Sequence, residues 1–321
     1  MATMKKILLT GATGFIGQAL AHELLSQGYG LVAAVRQQSD KLSEEITQII
    51  VGDINASTDW TEALHNVDMV IHLAARAHIL NDYSDDALAE YRKVNVEGTL
   101  ALARQAEMLG INRFIFLSSI GVNGNKSQSP FTEKDSADPQ EFYAQSKLEA
   151  EQGLWRLEAD TSLSVVIIRP PLVYGSSPPG NFKTLLRWVQ MGIPLPLGAI
   201  DNQRSFVALD NLVSFIIHCI DHPKAANEIF LISDGEDVST TELLQKVAEA
   251  FGKKVFLLPV PLELMRFFAK LLGKEDVAER LFGSLQVDSS KARDLLGWKP
   301  VITMDEQLKK ITTVLSRKEN T

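Results

Sequence analysis

Thr10-Gly11-Ala12-Thr13-Gly14-Phe15-Ile16-Gly17 is the stretch that decides the fold. It follows an apolar run over residues 5–10 and opens an amphipathic run over 15–27, a strand–turn–helix context. Each glycine has a task there. Gly11 permits a tight turn, Gly14 lets the backbone approach a pyrophosphate, and Gly17 lets helix and strand pack closely. The helix start, with Phe15 and Ile16, offers unpaired N–H groups and a positive dipole end to phosphate.

Working outward, short apolar runs alternate with amphipathic stretches. Strands are expected over 31–35, 48–51, 68–73, 113–118 and 163–168, and long helices over 87–109 and 141–159. Continuous apolar strands separated by helices predict a parallel sheet covered on both faces. Right-handed crossovers make it an α/β, doubly wound, Rossmann-type sheet. After Gly175 the texture changes: prolines and glycines between 178 and 198 set loops around one helix over 182–191. Residues 206–233 read strand, helix, strand, and the chain from about Asp237 reads mostly helical. The expected division is a dinucleotide-binding domain over 1–174, rejoined by 203–235. Residues 175–202 and 236–321 then form a smaller, mostly helical substrate domain.

Composition narrows the partners. With 321 residues, 45% of them apolar, the chain can bury a sizeable core. A net charge of −8 argues against a general affinity for nucleic acid or anionic lipid. No stretch reaches the ~20 apolar residues that cross a bilayer, so no membrane insertion is expected. Cys219 is the only cysteine, which fits a reducing cytoplasm and leaves no cysteine metal site. His72 has no second histidine or carboxylate cluster at metal-site spacing and reads as buried structure.

Further residues extend the nucleotide site. The second strand ends at Arg36, where an acid would ordinarily meet the ribose 2′-OH of NAD. An arginine can accept the 2′-phosphate of NADP or lie over the adenine face. No acid is placed there to repel a phosphate, so NAD(P) is the expected cofactor and Arg36 turns the choice towards NADP. Asp53, followed by Ile54, is placed to accept from the adenine amino group or to cap the next helix. Leu73, Ala74 and Ala75 end the fourth strand with room for a dinucleotide close to the backbone.

Tyr143 and Lys147 are four apart near the start of a helix and project from one face. Ser118 and Ser119 end the fifth strand, on the edge where doubly wound sheets carry their sites. The chemistry of a carbinol oxidation needs such a trio. Tyrosine ordinarily titrates near ~10, and a nearby ammonium together with an oxidised nicotinamide would favour its phenolate. Ser119 would hold the substrate oxygen as charge develops. Lys147 would also bond the ribose hydroxyls.

These motifs together resemble the extended short-chain dehydrogenases, the nucleotide-sugar epimerase/dehydratase family. The likeness rests on Gly11 to Gly17, Asp53, Ser119, Tyr143-Ala144-Gln145-Ser146-Lys147 and Arg169-Pro170-Pro171-Leu172-Val173-Tyr174-Gly175. It extends through Asp288-Ser289-Ser290-Lys291 and Leu296-Gly297-Trp298-Lys299-Pro300. Within the family the chain is similar to the bacterial O-antigen group of UDP-glucose 4-epimerase-like proteins and 4-keto-sugar reductases. The resemblance implies Ser119 rather than Ser118 as the catalytic hydroxyl and Asn95 as a residue that stabilises the site. It places Pro170 beside the nicotinamide, and Asn181 and Arg204 near a substrate diphosphate; read alone, these last two are loop residues. Ile120-Gly121 after Ser119 replaces the acidic pair of dehydratases, so elimination is not expected. Leu172 stands where many 4-epimerases carry Asn.

The resemblance implies an enzyme acting at C4 of a UDP-sugar in surface polysaccharide synthesis. With Arg36 it puts net reduction of a UDP-4-keto-hexose or 4-keto-N-acetylhexosamine first. UDP-hexose or UDP-N-acetylhexosamine 4-epimerisation is the alternative. A non-catalytic NAD(P)-sensing regulator comes third, because such proteins commonly lose the Tyr or Lys. A homodimer pairing the helices over 87–109 and 141–159 is also implied.

Overall fold

The computed structural model describes residues 5–77, 86–176, 180–273 and 275–319. Its strands are β1 (Lys6–Thr10), β2 (Gly30–Val35), β3 (Thr47–Ile50), β4 (Met69–His72), β5 (Arg113–Leu117), β6 (Ser164–Arg169), β7 (Leu172–Tyr174), β8 (Arg204–Ala208), β9 (Glu228–Leu231) and β10 (Asp237–Val238). Seven form one sheet in the order β3-β2-β1-β4-β5-β6-β9, with every pairing parallel. This is the doubly wound Rossmann-type fold. The order reverses between β1 and β4, and a crevice opens there at the C-terminal strand ends.

The helices are α1 (Phe15–Ser26), α2 (Ala87–Arg92), α3 (Thr99–Met108), α4 (Phe142–Asp160), α5 (Gly180–Met191), α6 (Leu209–Asp221), α7 (Thr240–Ala250), α8 (Leu262–Leu271), α9 (Glu275–Phe282), α10 (Ser290–Leu296) and α11 (Met304–Glu319). Along β1, Ile7 and Leu9 face α1 and α6, while Leu8 faces α3 and α4. All three are buried, which is why the strand reads as an unbroken apolar run. Each such side chain contributes about 1.5–3 kcal/mol by leaving water.

Two elements differ from the sequence expectation. The single helix over 87–109 is three pieces: α2, a π-helical turn over Lys93–Gly98, and α3. The wide turn carries Asn95 into the interior and sets Gly98 against Ile54, where a Cβ would lie 2.3 Å from Ile54 Cγ2. Hydrophobic periodicity does not register one extra residue in a turn. Residues 203–235 also divide. α6 packs on α1 and β9 joins the main sheet beside β6, but β8 lies in a second, three-stranded sheet of order β10-β8-β7. Pro170 and Pro171, which have no N–H to continue the ladder, carry the chain from β6 out to β7. A separate core of α5, α7 and α11, with Val189, Val247 and Ile311, backs this small sheet.

Candidate active site

The glycine loop has the shape its sequence implies. Gly11 adopts φ +69°, and a Cβ there would lie 2.8 Å from the Ala74 nitrogen. A Cβ at Gly17 would lie 2.1 Å from the Gly11 carbonyl oxygen. Gly14 precedes α1 with no side-chain cap, and the first turn holds no acid. The N–H groups at this helix start are therefore open to an anion, and the residues present fit a dinucleotide pyrophosphate. Phe15 and Ile16 pack their side chains against the core, so they contribute backbone to this cradle. Leu73, Ala74 and Ala75 border it half-buried.

Arg36 and Asp53 meet at the far end of the crevice. Arg36 Nη1 stands 3.9 Å from Asp53 Oδ1, both side chains being largely exposed. The expectation that no acid stands beside Arg36 is corrected here. β2 and β3 are parallel neighbours, so their C-terminal ends set the two residues side by side. Asp53 caps no helix; Asn55 organises the turn that follows it, accepting from the Ser57 nitrogen.

Behind the crevice runs a buried hydrogen-bond chain whose polarity is determined. The Ala74 N–H donates to Thr10 Oγ1, 3.1 Å, and Thr10 Oγ1 stands 2.7 Å from His72 Nδ1. Thr99 Oγ1 donates to the Asn95 carbonyl, 2.7 Å, so at 2.9 Å it must accept from His72 Nε2. His72 is thus the neutral Nε2–H tautomer, and burial first, then the Lys147 charge, push its pKa down to about 3. The side chain of Asn95 makes three further bonds. Its Oδ1 accepts from the Arg76 N–H, and its Nδ2 donates to the Arg76 carbonyl and to Ser146 Oγ. The π-helical turn therefore ties the end of β4 to the helix that carries Tyr143 and Lys147. π-Bulges of this kind are frequent at functional sites.

Ser119, Tyr143 and Lys147 converge at the C-terminal edge. Ser118 is buried, whereas Ser119 is half-exposed and accepts from the Gly121 N–H, 3.1 Å. A Cβ at Gly121 would lie 3.2 Å from Ala144 Cβ and 3.4 Å from Ser119 Oγ, so the serine loop rests on the first turn of α4. The Ile120 N–H donates to the Pro170 carbonyl, 3.0 Å, which fixes Pro170 beside the same loop. Tyr143 stands edge-on to Tyr91, ring centroids 6.4 Å apart. Burial, with Tyr91 second, pushes the Tyr143 pKa up to about 12. Lys147 lies buried with Nζ 4.0 Å from the centre of the Phe116 ring. Burial lowers its pKa to about 7, against the charge of Glu151. Among the protein's own groups, then, burial outweighs the expected effect of the lysine on the tyrosine.

The family model of the NAD-dependent epimerase/dehydratase family matches residues 7–233. The chain belongs to that family. It is 47% identical over 320 residues to a UDP-glucose 4-epimerase of Vibrio cholerae, covering 98% of this chain and 97% of that one. It is 32% identical over 278 residues to the N-acetyl-alpha-D-glucosaminyl-diphospho-ditrans,octacis-undecaprenol 4-epimerase of Escherichia coli O157:H7, covering 84% and 81%. Among solved structures, MoeE5 in complex with UDP-glucuronic acid and NAD superposes with a TM-score of 0.78 at 25% identity, covering 98% and 99%. This epimerase/dehydratase-family chain is thus an enzyme of the short-chain dehydrogenase type.

Arg76, Glu151 and Arg280, around the family site, carry no sequence signal. The Arg76 guanidinium lies 5.5 Å from the centre of the Tyr91 ring, extending the aromatic wall behind Tyr143. Arg169 is buried and forks onto the Glu151 carboxylate, with Nε 3.0 Å from Oε1 and Nη2 on Oε2; Nη1 donates to Asn123 Oδ1, 3.0 Å. Arg204 donates to the Gly283 carbonyl, 2.9 Å, and burial first, then the charge of Arg280 on α9, lowers its pKa. Arg280 also donates to Glu141, two residues before Tyr143, at 2.8 Å. Spacing could not pair Arg204 with Arg280, because β8 and α9 meet only in the folded chain. Asn181 falls in the first turn of α5, and its side chain lies outside the described residues.

Proposed function

We propose that this chain is a 4-epimerase of a UDP-hexose or UDP-N-acetylhexosamine, working in the cytoplasm in surface polysaccharide synthesis. The observation that carries it is the 47% identity, over nearly the whole of both chains, to a UDP-glucose 4-epimerase. It reverses the order read from sequence, where reduction came first on the strength of Arg36. The non-catalytic reading loses ground for a different reason: Ser119, Tyr143 and Lys147 are all present and gathered at one edge. The sheet domain would hold the dinucleotide, and residues 175–202 and 236–321 the sugar and its diphosphate.

A bound dinucleotide would supply a hydride acceptor and donor at C4 and a positive ring that would favour the phenolate. Tyr143 takes the proton from the C4 hydroxyl and returns it once the keto sugar has presented its other face. Ser119 donates to the C4 oxygen in both steps, where charge develops. Lys147 would bond the ribose hydroxyls and would hold positive charge by the phenol. Arg204 and Arg280 offer two guanidinium groups to the diphosphate.

Incubation with UDP-glucose or UDP-N-acetylglucosamine should yield the C4 epimer without net consumption of reduced cofactor, as read by chromatography and mass spectrometry. Stoichiometric oxidation of NADPH on a UDP-4-keto sugar, with no epimerisation, would restore the reductase reading. A second carrier, polyprenyl diphosphate, is suggested by the Escherichia coli relative and by apolar side chains that α8 leaves in water beside α9.

NAD(H) is the cofactor we infer, since the Asp53 carboxylate offsets the attraction of Arg36 for a 2′-phosphate. Exposed pairs are worth about 0.2–1 kcal/mol. Asp53→Asn is therefore expected to tighten NADP(H) by at most about fivefold, and Arg36→Ala to leave NAD(H) nearly unchanged, both by calorimetric titration. Equal weakening of both cofactors in Arg36→Ala would place the arginine on the adenine.

A homodimer through α3 and α4 also remains our inference. Leu154 is wholly buried within the chain and contributes nothing to such a contact, but Met108, Leu109 and Phe142 are exposed. Light scattering at micromolar concentration should give twice the chain mass; the mass of one chain would exclude the dimer.

A further inference from the structure

Helix α8 is apolar on the side that faces water. Leu264, Phe267, Phe268 and Leu271 occupy positions i, i+3, i+4 and i+7 and are 46%, 62%, 50% and 72% exposed. They form one stripe along the helix. Met265 points the other way and is buried in the C-terminal core. Leu272 and Phe256, 70% and 65% exposed, add to the apolar surface of this segment. Together these side chains leave on the order of 500 Å² of apolar surface in water, the size of patch that marks an interaction site.

The charge around the stripe says what covers it. The whole chain carries −8, yet residues 253–282, which span α8 and α9, hold six Lys or Arg against four Asp or Glu. Lys270 and Glu263 lie along one edge of the stripe, and Arg266, one turn before Lys270, is on the polar side of the helix; all three are exposed. Protein–protein interfaces are depleted in lysine. A helix with Phe and Leu on one face and Lys and Arg on the other suits the headgroup boundary of an anionic bilayer. α8 packs on α9, and α9 carries Arg280 beside Arg204.

We propose that the exposed face of α8 docks on an anionic lipid bilayer and holds the sugar site at the membrane surface. The docking needs no membrane-spanning helix, and among the described residues no helix is long and apolar enough to be one. It stands whether the sugar is carried by a nucleotide or by a lipid, and it is read without substrate.

The test is co-sedimentation of the full chain with vesicles. Phosphatidylethanolamine–phosphatidylglycerol vesicles should retain the protein on the order of tenfold better than phosphatidylcholine vesicles. Phe267→Glu with Leu271→Glu should abolish retention, while Arg266→Glu with Lys270→Glu should abolish the preference for anionic lipid. Both changes are on the surface, and thermal melts followed by circular dichroism should match the parent. Absence of retention on anionic vesicles would overturn the proposal, as would retention unchanged by Phe267→Glu with Leu271→Glu. It also falls if, without lipid, light scattering shows that variant halving the mass of the parent, since the stripe would then be a contact between copies.

Discussion

Tyr143→Phe is expected to lower turnover by about 10²–10⁴-fold, the range for losing one acid–base group. The hydroxyl removed is the only atom of the side chain that can carry the C4 proton. The ring would keep its edge contact with Tyr91, so dinucleotide binding should change little. Ser146 and Asn95 hold the start of α4 through the Tyr143 carbonyl and the Arg76 peptide, bonds that the substitution leaves in place. Steady-state kinetics together with a cofactor titration separate the two effects. Near-normal turnover would show that another group moves the proton. A parallel loss of cofactor affinity would show instead that the phenol helps to build the binding site.

Glu151→Gln is expected to destabilise the fold by about 3–5 kcal/mol, the cost of leaving a buried charge without its partner. Glu151 and Arg169 are almost wholly buried, and the carboxylate receives two of the guanidinium nitrogens. The charge of Glu151 also supports the Lys147 ammonium, whose pKa burial pulls down. Without that charge, two buried cations share one side of α4. Urea denaturation of the parent and the variant measures the loss. Replacing both partners, Glu151→Leu with Arg169→Met, should recover much of it, because apolar pairs of similar volume often replace buried ion pairs without cost. A loss under about 1 kcal/mol for Glu151→Gln would show that the pair is solvated. Arg169 precedes Pro170 and bonds Asn123, so the same change should loosen the serine loop.

Much of the site was legible in the chain because its chemistry is local. A glycine triplet between a strand and a helix determines where a dinucleotide approaches, since glycine most readily takes φ +69° at Gly11 and only a residue without Cβ fits the close contacts at Gly11 and Gly17. Tyr143 and Lys147 share a helix face by their spacing, and Ser119 follows a strand that an apolar run announces. The doubly wound sheet follows from strands that are apolar on both faces. What joins distant segments needed the folded chain. Parallel pairing of β2 with β3 brought Asp53 to Arg36, the contact behind our inference of NAD(H). One extra residue in a helical turn carried Asn95 inward, and the prolines after β6 sent β7 to a second sheet with β8. The Arg169–Glu151 pair, the Arg204–Arg280 approach and the unpartnered stripe of α8 depend on which surfaces meet. Spacing along a chain reports the faces of one element, whereas contacts between elements are decided by packing.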